Sequence, residues 1–431
     1  MVFEMKSICT GLFLLINLLI AAQSSYPNIR LDIEDGNGYA PCEPSIAVNP
    51  KDPSKVIGGA ILDKIYLSED SGKTWTKDKL TSSFGVFGDP CIISSNKGDF
   101  YFLHLSDPAG KGWIEPHILD RIVCQRTKDC GATWSNGGSI GENHPADQDK
   151  EWACANKKGN RIYVSWTQFD EYNSKNPADS THILFSRSNR KARKWSKPVR
   201  LDQYGGNCTD DDMTVEGAVP CTGPNGEVYV AWARGEVIWF DRSINKGRTW
   251  LKKDIHAADM VDGWDQEIPG ILRANGMPVT ACDVSGGLHN GTIYINWADQ
   301  RNGSDDTDVF LAKSTDGGNT WSDPLRVNND GPGKHQFFTW MALDQETGHL
   351  HIVYYDRRNH EGTETDVYLA TSADGGATFT NERISESPFN PHPGVFFGDY
   401  NNISAHGGVI RPIWTRFEDG KLSVWTALIN R

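Results

Sequence analysis

One octet constrains this chain more than any other feature. The pattern Ser-x-Asp-x-Gly-x-Thr-Trp stands at residues 68–75 and 314–321, and recurs with a single change each at 127–134, 243–250 and 372–379. A decayed copy at 188–195 keeps only its serine and tryptophan, and successive copies lie 55 to 71 residues apart. Self-similarity at that period identifies an array of like supersecondary units, not a string of unrelated domains. Each octet makes sense as a hairpin. The aspartate accepts hydrogen bonds from the backbone of its own turn, the glycine takes a positive φ, and the terminal aromatic plugs the apolar end of the unit.

Two β-rich runs precede the octets, such as 161–166 with 182–186, 292–297 with 308–312, and 350–355 with 366–370. A further strand lies ahead of each pair. These innermost strands are expected at 44–48, 90–94, 152–155, 217–221, 268–272, 337–343 and 401–405, which makes seven units. The last unit, 400–431, ends after three strands and has no octet. A ring of sheets must hide its edges, so Asn28–Ile33 is the natural fourth strand of that unit. The expectation is an all-β fold: a single β-propeller domain over 26–431, built of four-stranded antiparallel blades, seven in number with six as the alternative, and closed by the N-terminal strand.

The octet is the Asp box, and six copies make the chain resemble the sialidase-like superfamily of Asp-box (BNR) repeats along nearly all of 26–431. The resemblance implies that the boxes join the third and fourth strands of each blade, on the face away from the active site. On the opposite face two registers converge around the channel: the residues leading into the inner strands, and the loops joining second to third strands. The first holds Glu43, Asp89, Glu151, Glu216, Glu267 and Asp399, with Asp147, Asp149, Asp210, Asp211, Asp212, Asp265 and Tyr400 beside them. So many acids at one mouth repel one another, which raises some pKa values or recruits cations. The second register holds Arg234, Arg301, Arg357, Arg358 and Arg416. Arginine forks suit a substrate carboxylate or sulfate, and equally the aspartates next to them.

Carried onto these positions, the resemblance implies Tyr400 as nucleophile, Glu216 or Glu267 as its helper and Asp89 as acid. It implies Arg301, Arg357 and Arg416 as the carboxylate-binding group, with Glu43, Glu151 and Asp399 also facing substrate. The residues alone leave two other chemistries open. One uses a pair of carboxylates, as most glycosidases do. The other is a calcium ion in the channel, or at Asp210–Asp212 or Asp305–Asp306; no other cofactor is expected. The chain departs from the family in lacking an Arg-Ile-Pro phrase, whose nearest match is Ile29-Arg30-Leu31, and in its seven units where sialidases have six blades. The functional expectation is a secreted glycoside hydrolase acting on an acidic or sulfated glycan. The alternative is a non-catalytic extracellular propeller that binds glycan or protein, or serves as a matrix component.

Lys6, the apolar run 8–22 and Gln23-Ser24-Ser25 read as a signal peptide over 1–25, since so short a run hardly spans a bilayer. Its removal leaves eight cysteines: Cys42, Cys91, Cys124, Cys130, Cys154, Cys208, Cys221 and Cys282. In an exported chain these imply disulfides, with Cys124 and Cys130 the nearest pair, and no CxxC spacing suggests zinc. Asn207, Asn290, Asn302 and Asn402 begin Asn-X-Ser/Thr triplets and would accept glycans in a eukaryotic secretory route. The net charge of −13, with lysine and arginine scattered, argues against nucleic acid or an anionic membrane as partner. A soluble monomer is expected.

Overall fold

The computed structural model describes residues 26–36, 40–114 and 117–431. The expected signal peptide and Cys9 lie outside them. The described residues form seven four-stranded antiparallel blades arranged in a ring, with one short 3-10 turn at Gly112–Ile114. Innermost strands are Ser45–Val48, Cys91–Ser94, Asp147–Ala155, Glu216–Thr222, Val279–Cys282, Gln336–Leu343 and Asn402–His406. Each packs against the next, and the seventh returns to the first. Asn28–Ile33 pairs antiparallel with Lys421–Ala427 and completes the last blade. First and last segments of the chain therefore share one sheet, which closes the ring.

The inner strand of the fifth blade is not 268–272. Pro269 and Gly270 make a turn there: Ile271 N–H donates to Ile268 C=O at 3.0 Å, with Gly270 at φ +82°. This is the Pro-Gly turn geometry that excludes a continuous strand. Val279–Cys282 takes the inner place and pairs with Ile293–Asp299. Glu267, expected to lead into the inner strand, is exposed on the loop before it.

The octets join third to fourth strands, as in Lys64–Ser68 and Thr76–Lys79. Asp316 shows their mechanism. Its Oδ1 accepts from Asn319 N–H at 2.9 Å and Thr320 N–H at 3.0 Å, and its Oδ2 from the Thr320 hydroxyl at 2.7 Å. Those bonds, the Thr320 amide foremost, hold its carboxyl down at about 2. Asn245 reproduces the backbone bonds in its copy, accepting from Arg248 and Thr249. Replacing Asp316 with alanine should cost about 1–2 kcal/mol, because charge-assisted turn bonds are lost with no burial to compensate. A urea titration checks this; an unchanged midpoint would contradict the role given to the aspartate.

Blade interiors are filled by large aromatics on the second strands. Trp166, Trp232, Trp297 and Trp414 are fully buried, each worth roughly 3–5 kcal/mol on truncation. All eight cysteines of the described residues are free thiols. The expected Cys124–Cys130 disulfide is absent because the two side chains face different clusters: Cys124 lies in the main core, whereas Cys130 sits in an octet turn over the core between first and second blades. Asn402 lies on an inner strand at 5% exposure, so it is no glycan acceptor in the folded chain. Among the described residues, no helix is long and apolar enough to cross a membrane.

Candidate functional site

The inner strands enter the ring through β-bulges, and these place the chemistry. In the third blade Asp149 pairs with Thr167 and Trp152 with Ser165, so Lys150 and Glu151 together oppose Trp166. The fourth and sixth blades repeat the irregularity at Glu216/Val219 and Phe337/Trp340. The first bulge residue has a positive φ: +49° at Lys150, +75° at Gly217, +49° at Phe338. Glu43 (φ +52°) and Asp89 (φ +47°), each before a proline, take the same left-handed conformation at the head of the first two inner strands. Left-handed backbone at non-glycine residues is costly, and its recurrence at side chains lining one cavity suggests a functional constraint.

That cavity has a volume of about 270 Å³. Glu43, Asp89, Asp149, Asp399, Lys150, Arg273 and Tyr172 supply its polar wall, and Ile61, Leu62, Phe87, Leu105, Trp113, Leu119 and Phe396 the apolar one. Trp113 stands at its rim, 65% exposed and stacked on Tyr172 with ring centroids 5.8 Å apart.

Two cations organise the acids. Lys150, 3% exposed, places Nζ 3.4 Å from carboxylate oxygens of Asp149, Glu216 and Asp399. Arg273 grips Asp399 with a fork, its Nε donating at 2.9 Å, and reaches Asp210 through Nη1 at 2.5 Å. Tyr172 O–H donates to the same Asp210 at 3.0 Å. Burial would raise Asp210, but Lys150 and Arg273 outweigh it and hold the carboxyl at about 2. Glu43 behaves oppositely. Burial, then the charge of Asp399, pushes it up to about 8 against the pull of Lys150 and Arg273, and its Oε1 accepts the Asp399 N–H at 3.2 Å. Burial and the charges of Glu43 and Asp149 likewise push Asp89 well above the usual carboxylate range. Carboxyl groups with raised pKa values thus stand beside carboxyl groups that face cations, an arrangement that acid–base catalysis uses.

The other expected site residues lie elsewhere. Glu151 and Glu216 are buried off the cavity, and burial raises both pKa values strongly. Tyr400 is 3% exposed, its hydroxyl lacks a hydrogen-bond partner, and its ring packs edge-on to Trp152 at 4.8 Å. It fills the core and does not line the cavity; Tyr172 is the tyrosine that does. The arginines do not converge. Arg301 is held by Asp299, with Nε donating at 2.9 Å, and lies over Phe310; Arg416 is held by Glu418 and Ser387. Arg357 lies in a separate cavity, while Arg358 binds Asp356 and Arg234 binds the Gly205 carbonyl. Of the acids considered for calcium, Asp211 accepts from Asn207, Thr209 and Met213, Asp212 from the Asp265 amide and Asp306 from the Lys334 amide, while Asp305 is exposed. Among the described residues no three histidine, cysteine or acidic groups gather to hold a metal ion.

Sequence reading did not place Lys150 or Arg273. Lys150 was detectable as the one basic residue among Asp147, Asp149 and Glu151 of its strand. Arg273 follows the turn at 268–271 and lines the cavity from there.

No protein-family model matches the chain, and neither does any curated protein. Solved structures do. A protein of unknown function from Dyadobacter fermentans is 13% identical over 91% of this chain and 99% of its own, with a TM-score of 0.51. The Hadza microbial sialidase Hz136 is 12% identical over 87% of this chain and 73% of its own, TM-score 0.49. The α-L-arabinanase of Penicillium chrysogenum, solved with arabinobiose, is 15% identical over 79% of this chain and 97% of its own, TM-score 0.48. At such identities the likeness concerns the fold alone.

Proposed function

We propose that the chain is an exported propeller glycoside hydrolase that cleaves a glycan in the cavity between the first, second, third and seventh blades, using carboxyl groups and no cofactor. One observation carries this reading: Asp89 and Glu43, held protonated by their surroundings, share a cavity with Asp149 and Asp399, which face Lys150 and Arg273. Asp89, the more exposed of the proton-holding pair, would donate to the leaving oxygen, and Asp149 would serve as the partner carboxylate. A tyrosine nucleophile fits less well. Burial raises Tyr172, and Asp210, at about 2, is too weak a base to take its proton. Both cations of the cavity are already matched by buried acids, so the sugar at the cleavage point would be uncharged. Trp113 on Tyr172 offers it an aromatic platform.

That exposed platform also favours a second reading, a propeller that binds glycan without cleaving it. Release of reducing ends separates the two, and the pH profile tests the acid. If Asp89 holds the catalytic proton, its carboxyl raised well above the ordinary range by burial and by Glu43, kcat/KM for a hydrolysed glycan falls with rising pH only beyond the range of an ordinary carboxyl group. Stability runs the same way through Glu43. Its folded value lies above the unfolded one, so the folded state binds more protons, and this contribution, full below the ordinary carboxyl value, is lost as pH rises through about 8. An alkaline midpoint at 6 or below would remove Asp89 from the chemistry.

A further inference from the structure

We infer that a second cavity, between the fifth and sixth blades on the same face as the first, binds an anionic group, a carboxylate or sulfate, carried by the glycan. This rests on the hydrolase reading for the identity of the ligand, but not for the site. The cavity is about 250 Å³, and Lys334, His335, Arg357 and His360 line it. Its loops lead into the sixth inner strand and join second to third strands, the two registers that also build the first cavity.

Arg357 is the deciding group. It is 3% exposed, and among the described residues it has no carboxylate partner. Its Nε donates to Thr365 Oγ1 at 3.1 Å, its Nη2 has no hydrogen-bond partner, and its guanidinium carbon lies 5.0 Å from the Phe337 ring centre. Burial alone pulls its pKa down to about 10, so the group is still charged at neutral pH. A buried, unpaired cation is strongly unfavourable unless an anion answers it. The contrast with its neighbour is direct: Arg358, one residue on, is answered by Asp356.

Nearby groups leave the place open. His335, pushed down to about 4 by burial and then by Arg357, is neutral, and its Nδ1 is occupied by Thr307 at 3.0 Å. His360 turns Nε2 to Asp366 at 3.0 Å. Two acids line the cavity, Asp305 and Glu361, both exposed; Glu361 pairs with Lys334 at 3.3 Å with its own side chain 99% exposed, an ion pair of little strength. An entering anion would compete for Lys334 and take the planar fork of Arg357.

Calorimetric titration tests this without any turnover, so a failure of hydrolysis leaves the result intact. The probes are sodium sulfate, a disaccharide ending in a uronic acid, and its neutral counterpart, against wild type, Arg357→Met and Lys334→Gln. Wild type should bind the acidic disaccharide at least tenfold more tightly than either other probe. Arg357→Met should lose tenfold or more of that affinity, and Lys334→Gln severalfold. Without ligand, Arg357→Met should unfold at the wild-type temperature or above, because a buried unpaired charge has gone. Should Arg357→Met fail to fold, Lys334→Gln decides. Equal affinity of the variants and wild type would overturn the site, and sulfate bound as tightly as the acidic disaccharide would overturn its assignment to a glycan.

Discussion

Asp89→Asn should lower kcat/KM for glycan hydrolysis by about 10²–10⁴-fold, the usual contribution of a positioned general acid. The amide keeps the shape and the neutral charge that Asp89 has among Glu43 and Asp149, so fold and substrate affinity should survive; only the transferable proton is lost. Circular dichroism and an unchanged urea midpoint would establish the first point, and a KM within a few fold of wild type the second. A variant that keeps more than a tenth of the activity would exclude Asp89 as the acid and turn attention to Glu43.

Among the charged residues, the largest expected effect on stability belongs to Arg273. Arg273→Met strips the fork from Asp399 and the counter-charge from Asp210, two carboxylates with side chains 2% and 6% exposed, and leaves Lys150 alone among them. Breaking a buried ion pair from one side costs about 3–5 kcal/mol. The pH dependence identifies the cause. In the variant the freed carboxylates have raised folded-state pKa values, so its folded state binds extra protons and the deficit shrinks as pH is lowered toward 4. A deficit that stays constant between pH 8 and pH 4 would point to lost packing against Phe396, which lies 5.2 Å below the guanidinium, and not to charge.

The fold could be read from the chain because its signals are local. An octet that bonds to its own aspartate, and runs of alternating or continuous apolar residues, need no partner to be recognised, and an unfinished last unit asks for a strand that only the N-terminal segment can give. The one misplaced inner strand was local too: Ile268-Pro269-Gly270-Ile271 looks apolar enough for a strand until the Pro-Gly turn is weighed against it. The site was harder because register decides it. Shifting attention by one residue at a bulge exchanges Lys150 for Glu151, one in the cavity and the other sealed behind it. The arginines carried a warning in their spacing. Asp299 and Arg301, Asp356 and Arg358, and Arg416 and Glu418 stand two apart at strand ends, where such residues share a face and close on each other. Arg357, one position out of that pattern, is buried without an acid among the described residues. Tyr400 and Tyr172 could not be told apart by sequence: which of them meets solvent depends on Trp152 from another blade and on the loop that carries Trp113.

Cleavage of sugar in the cavity of Asp89 and Asp149 is tested most directly by following reducing-end release and binding together, on a panel of neutral and acidic oligosaccharides, for wild type and the double variant Asp89→Asn, Asp149→Asn. Wild type should release product from at least one glycan, and the double variant should bind that glycan within a few fold of wild-type affinity and release none. Release by the double variant at the wild-type rate would place the chemistry elsewhere, and binding without release by wild-type protein would make this propeller a glycan receptor.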